Sequence, residues 1–280
     1  MQESNTHRLV SGVRMPRLLY GTAWKQATTA QWVEAALREG FNGIDTAGQP
    51  KHYDEPGVGA GIAASHRARD TLYLQTKFTP FAGQDPARLP YDPNASLTTQ
   101  IAQSFASSQS NLRSDRIDAL LLHSPLREAA AQRKAWAAFE ALADAGNVGL
   151  LGLSNCYALA QFEQLWRETR IKPAILQNRF YAQTGYDREL RAFCRGHGVV
   201  YQSFWTLSAN PQLLNSATIL GLAAAYERTP AQILFRWLIQ NEVVPLTGTT
   251  STTHLRQSLD VLAFELEAQD CVAIEALLDT

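Results

Sequence analysis

Short runs of apolar residues alternate with longer amphipathic stretches along this chain, and the alternation repeats eight times. The apolar runs are Leu18–Gly21, Gly43–Asp45, Leu72–Thr76, Ile117–Leu122, Leu150–Leu153, Ala174–Gln177, Val199–Ser203 and Val243–Leu246. Most are continuous, which predicts strands of a parallel sheet covered on both faces. Between them the spacing predicts helices. Thr29–Glu39 sets Trp32, Ala35, Ala36 and Leu37 on one face and stops at Gly40. Similar spacing marks 95–113, 133–145, 158–168, 187–196 and 230–240, with a last helix over about 268–278. Thr229-Pro230 supplies a cap followed by proline at the first helical position.

Eight strand-then-helix units in 280 residues predict an α/β fold, a (β/α)8 TIM barrel forming a single domain over 1–280. An open doubly wound sheet would carry a glycine-rich dinucleotide turn directly after its first strand. Gly57-Val58-Gly59-Ala60-Gly61 has the wrong spacing and follows a polar loop. One connection stands out, the stretch 79–95 with Pro80, Gly83, Pro86, Pro90 and Pro93. It is either part of a site or a passive surface insertion; in a barrel it lies on the face where ligands bind.

Composition narrows the partners. A hydrophobic fraction of 45% against 18% charged residues supports a buried core. With a net charge of −1 and no run of like charges, the chain offers nothing to attract nucleic acid or an anionic membrane. Its polar start and the lack of a long apolar segment predict a cytoplasmic protein. Cys156, Cys194 and Cys271 are too few and too scattered for a disulfide framework or a metal site.

A barrel enzyme places its chemistry at the C-terminal strand ends. There the second run ends in Asp45, the third in Thr76-Lys77 and the fourth in His123. A solvated rim accounts for any one of them, but not easily for three complementary groups on successive strands. Asp45 and Lys77 are close enough to pair, and Tyr53 can reach them from the following loop. The set suits reduction of a carbonyl, whose oxygen needs a proton as a hydride arrives. Tyrosine has a pKa of about 10, so a nearby Lys77 ammonium is expected to lower it. Asp45 then fixes Lys77, while His123 orients the substrate oxygen.

These residues carry a family resemblance. Gly43-Ile44-Asp45-Thr46-Ala47 before Tyr53, Thr76-Lys77, Leu122-His123-Ser124-Pro125 and Leu153-Ser154-Asn155, in that order, resemble the aldo-keto reductase superfamily. The resemblance runs from Val13-Arg14-Met15-Pro16 to the final helix. It implies a catalytic tetrad of Asp45, Tyr53, Lys77 and His123, with Tyr53 as general acid and no metal. It implies that Ser154, Asn155 and Gln177 hold a nicotinamide carboxamide and that Phe204 stacks on the ring, with Trp205 and Leu207 beside it. Gly21, Thr22 and Trp24 would line the floor. Helix capping by Ser154 and Asn155, and barrel packing by Phe204 and Trp205, are the plain readings of the same residues.

The chain departs from that pattern in four ways. Eight positions separate Asp45 from Tyr53, with Lys51-His52 as a rim contact. Ser124 follows the histidine where relatives place a bulky tryptophan, which is expected to widen the substrate pocket toward aromatic aldehydes. The sequence ends at Thr280 without the long tail that covers the pocket in many relatives. Finally, the resemblance implies NADPH as cofactor, yet Gly248 and His254 fall where basic residues clamp its 2′-phosphate. Thr249, Thr250, Gln257 and Ser258 remain around that place, and Arg256 either compensates or points to solvent. NADH is therefore a realistic competitor. The rival functions are a non-catalytic relative that binds nicotinamide and regulates a partner, and an unrelated barrel hydrolase or lyase.

Overall fold

The chain opens with a hairpin of strands β1 (His7–Val10) and β2 (Val13–Pro16). In the computed structural model, which describes residues 7–279, its turn is Ser11-Gly12, both at positive φ. Such a two-residue connection matches the twist of paired strands. This hairpin was not among the expected elements, although Ser11-Gly12 is a turn signal.

Eight parallel strands follow and close into a barrel: β3 (Leu19–Gly21), β4 (Gly43–Asp45), β5 (Tyr73–Phe78), β6 (Ile117–Leu122), β7 (Val148–Ser154), β8 (Ile175–Arg179), β9 (Val200–Phe204) and β10 (Val244–Thr247). They pair in sequence order, and β10 closes on β3 through Leu246 opposite Leu19. The expected barrel is the observed one. Its helices include α1 (Thr29–Glu39), α2 (Glu55–Ser65), α3 (Leu97–Leu112), α4 (Ala129–Asp144), α5 (Leu159–Glu168) and α6 (Arg188–Gly196). The rest are α7 (Pro211–Leu214), α8 (Ala217–Ala225), α9 (Pro230–Gln240), α10 (Thr252–Asp260) and α11 (Ala268–Glu275). The capping box of α9 joins Thr229 and Gln232, with Pro230 at the first position, as its sequence predicts.

Helix α2 was not expected, because Gly57, Gly59 and Gly61 are poor helix formers. Packing explains them. A Cβ on Gly61 would lie 2.5 Å from the Ala30 carbonyl oxygen, and one on Gly59 would strike the Asn111 carbonyl. The glycines let α2 lie directly against α1 and α3, and tertiary contact outweighs propensity. Helices α7 and α8 likewise occupy the stretch after β9, where the pattern gave no element.

Strand alternation sorts the barrel into ranks. On β5, Leu74, Thr76 and Phe78 face the helices while Tyr73, Gln75 and Lys77 face inward. The lower interior is apolar: Leu19, Tyr73, Ala119, Leu121, Leu150, Ile175, Val200 and Val244, closed beneath by Val10, Val13 and Met15 of the hairpin. Above it the interior turns polar, with Asp45, Gln75, Lys77, Gln177 and Gln202 all at most 2% exposed. No helix among the described residues is long and apolar enough to cross a membrane.

Candidate active site

Asp45 ends β4, opposite Gln75 in the register, and Lys77 lies two residues further along β5. The fold therefore presents a carboxylate and an ammonium inside the barrel on adjacent strands. Lys77 Nζ donates to Asp45 Oδ1 at 2.8 Å and Oδ2 at 2.7 Å, and to the Thr46 carbonyl at 2.8 Å. All three protons are engaged. Burial pulls the Lys77 pKa below its ordinary value, opposed by Asp45.

Tyr53 reaches over this pair from the β4–α2 connection, with Lys77 Nζ 5.3 Å from its ring centroid. Its ring meets the His123 imidazole edge to face at 6.0 Å. The expected lowering of the Tyr53 pKa is not found. Burial raises it, and the Asp45 charge raises it further. The reason is geometric: Lys77 is neutralised by Asp45, so Tyr53 sits above a closed ion pair rather than beside an unshared cation. His123 is held well below the usual imidazole range by burial, then by the charges of Lys77 and His52. Its Nδ1 is 2.6 Å from the Thr79 hydroxyl. With Thr79 donating there, Nε2 carries the remaining proton toward the cleft.

The cleft above these groups has a volume of about 590 Å³. Of the expected residues, Gly21, Trp24, Asp45, Tyr53, His123, Ser154, Asn155, Gln177, Phe204, Trp205, Leu207, Gly248 and Thr249 line it. Ser154 ends β7 and donates to the Gln177 carbonyl at 2.8 Å. Asn155, at φ 55°, donates through Nδ2 to the His123 carbonyl at 2.8 Å. Neither caps a helix, since α5 begins at Leu159 after Ala158. Trp205 is 47% exposed, and the Arg179 guanidinium covers its ring at 4.1 Å.

Other expected residues lie elsewhere. Thr22 is fully buried behind the wall, where its hydroxyl donates to the Asp45 carbonyl at 3.0 Å. Ser124 does not line the cleft. Instead, Trp24 stacks on His52 at the rim with centroids 3.9 Å apart. Thr250, Gln257 and Ser258 do not line it either, and Ser258 is buried in α10. His254 is exposed on α10, its Nδ1 3.4 Å from the Thr249 hydroxyl. Arg256 does not point free: it clamps Glu39 of α1 with two bonds of 2.8 Å.

Several residues outside the expected set complete the site. Gln75 and Gln202 lie under Asp45, and Thr79 holds His123. Lys25 is 6% exposed and donates to the Gly248 carbonyl at 2.9 Å. Its Nζ lies 3.5 Å from where a Cβ on Gly248 would stand, and burial lowers its pKa to about 8. Its position after Gly21-Thr22-Ala23-Trp24 was the available signal. The proline-rich loop is tied down rather than loose. Tyr91 donates to the Thr79 carbonyl, Gln84 to the Gly48 carbonyl, and Gln49 to the Gly83 carbonyl.

Comparison with known proteins identifies the family. A glyoxal reductase of Bacillus subtilis (strain 168) is 29% identical, over 98% of this chain and 92% of its own. An aldo-keto reductase of Mycobacterium tuberculosis is 31% identical, over 95% of this chain and 88% of its own. The crystal structure of an aldo/keto reductase from Brucella melitensis superposes with a TM-score of 0.82 at 27% identity, covering 97% of this chain and all of that one. The profile of the Aldo/keto reductase family matches residues 17–279, and the chain belongs to that family.

Proposed function

We propose that this member of an oxidoreductase family reduces aldehydes or ketones to alcohols, with Tyr53 delivering the proton. The observation that carries the reading is the convergence of Tyr53 and His123 over the buried Lys77–Asp45 pair at the cleft floor. When bound, a nicotinamide cofactor supplies the hydride. Ser154, Asn155, Gln177 and Phe204 on one wall suit its carboxamide and ring. Tyr53, kept protonated by its raised pKa, holds its proton until an oxygen gains negative charge nearby. Lys77 Nζ, 5.3 Å from the ring centroid, then attracts the phenolate that forms, against the opposing charge of Asp45. Neutral His123, fixed by Thr79, donates through Nε2 and orients the carbonyl oxygen.

Both NADPH and NADH serve in this reading. Gly248 brings no charge, Arg256 is spent on Glu39, and Lys25 offers a single ammonium from behind Gly248. That is less than the bidentate guanidinium of a full phosphate clamp. The substrate is an aromatic or bulky apolar aldehyde, since Trp24 and Trp205 expose 58% and 47% of their surface at the mouth. The test is oxidation of each cofactor by benzaldehyde and by glyoxal with purified protein. Cofactor binding without turnover of any carbonyl would replace this reading with a non-catalytic nicotinamide binder.

A further inference from the structure

A rank of three glutamines crosses the barrel directly beneath Tyr53 and Lys77: Gln75 on β5, Gln177 on β8 and Gln202 on β9. Gln75 and Gln202 are fully buried, and Gln177 is 2% exposed. The rank below them is apolar, with Tyr73, Ile175 and Val200 on the same three strands. Packing alone would be served by more apolar residues. Primary amides in such a place need partners for every proton and carbonyl.

The partners are found within the rank and at Asp45. Gln75 Nε2 donates to Asp45 Oδ1 at 2.6 Å and to Gln202 Oε1 at 2.8 Å. Gln177 Nε2 donates to the same two oxygens, each at 2.9 Å. Gln202 Nε2 returns a bond to Gln75 Oε1 at 3.0 Å, and the Tyr73 hydroxyl donates to that oxygen at 2.8 Å. A carboxylate only accepts, so Asp45 turns the NH₂ groups of Gln75 and Gln177 toward itself. Gln202 Oε1 then takes the second proton of each. Turning the Gln177 amide over would set its carbonyl oxygen against both Asp45 Oδ1 and Gln202 Oε1. The network accepts only one orientation, and in it Gln177 Oε1 is the atom left to face the cleft.

We propose that Gln75 and Gln202 are positioning residues that lock the Gln177 amide with its carbonyl toward the cleft and fasten it to the carboxylate that anchors Lys77. The proton-donating side of the site and the side that holds the cofactor ring then share one oxygen, Asp45 Oδ1. A fixed acceptor at Gln177 selects a ring substituent that offers an N–H. The carboxamide does so; an acetyl group in its place does not. The inference rests on the reductase reading above, but it concerns binding and is tested by binding.

The experiment titrates NADH and its 3-acetylpyridine analogue against wild-type protein, Gln202→Met and Gln202→Glu, by quenching of tryptophan fluorescence. Wild type is expected to bind NADH about tenfold more tightly than the analogue, the worth of one hydrogen bond. Gln202→Met keeps the shape but removes one of the two acceptors that orient Gln177, leaving Asp45 Oδ1, and is expected to bring the two affinities within about threefold. Gln202→Glu still accepts from Gln75 and Gln177 and is expected to restore the difference. If the difference persists in Gln202→Met, or wild type does not discriminate, the proposal is overturned. Loss in both variants, in step with their thermal stability, assigns Gln202 a merely structural role and overturns it too. If Gln202→Met does not fold, Gln75→Met, which frees the Gln202 amide to turn, takes its place: a reduced difference supports the proposal and an undiminished one overturns it. Absence of carbonyl reduction alongside intact discrimination would sink the reductase reading and leave this one standing.

Discussion

Lys77 gives all three of its ammonium protons away inside the barrel, two to Asp45 and one to the Thr46 carbonyl. Tyr53 therefore rests on an ion pair that is already closed. Removing the cation breaks that pair where water cannot replace it. Lys77→Met is expected to lose about 3–5 kcal/mol of stability as well as activity, because Asp45 stays buried without its partner. Tyr53→Phe keeps the ring and should fold normally. It is expected to lower kcat by roughly 10²–10⁴-fold with cofactor affinity almost unchanged. Denaturant melts and steady-state kinetics on both variants check this; a Tyr53→Phe enzyme retaining more than about a tenth of kcat contradicts the proton-donor role.

The two titrating groups over the cleft are shifted in opposite directions. Tyr53 acts as an acid only while protonated, and its raised pKa keeps it so until the pH passes well above 10. His123 is neutral above a pKa held far below 6.5. With cofactor saturating, kcat for reduction is therefore expected to stay level from about pH 6 to pH 9. A midpoint near 6.5 would show that His123 titrates there as an ordinary imidazole.

Lys25 adds a different dependence. Its ammonium, with a pKa lowered to about 8, is present below that value and lost above it, until a bound anion raises the pKa again. Affinity for NADPH is expected to weaken as the pH rises through about 8. Lys25→Met should weaken it about tenfold at neutral pH and flatten the profile. Arg256→Ala, which releases only Glu39, should leave both cofactors within about twofold. A preference for NADPH over NADH beyond about a thousandfold, some 4 kcal/mol, would reveal a complete phosphate clamp.

At the mouth, Trp24 and His52 form one stacked wall. Trp24→Ala is expected to raise KM for benzaldehyde about tenfold and for glyoxal only about twofold, since a small dicarbonyl covers little of the indole. Equal changes for the two substrates would show that Trp24 holds the loop rather than the substrate.

The barrel, and the convergence of Asp45, Lys77 and His123 at its upper end, were legible because parallel strands leave an apolar run ending in an ionisable residue. Asp45, Lys77 and His123 each interrupt such a run, and the register does the rest. Gln75 and Gln202 show the limit of that signal. They sit inside strands, and only the inward alternation reveals that they meet across the barrel. Helix α2 was hidden for another reason: Gly59 and Gly61 serve contacts with Asn111 and Ala30, far away in sequence. Arg256 could not be assigned because its partner, Glu39, lies 217 residues earlier.

The hairpin closes the lower end of the barrel. Val10, Val13 and Met15 seat against Leu19, Tyr73 and Leu121, so the lower end is stoppered with hydrocarbon. On the proposed reading, a turnover that spends the Tyr53 proton draws its replacement from above, through the cleft that would admit the carbonyl and release the alcohol. In that reading, recharging the acid and clearing the product share the upper side of the barrel, since the lower side offers only hydrocarbon.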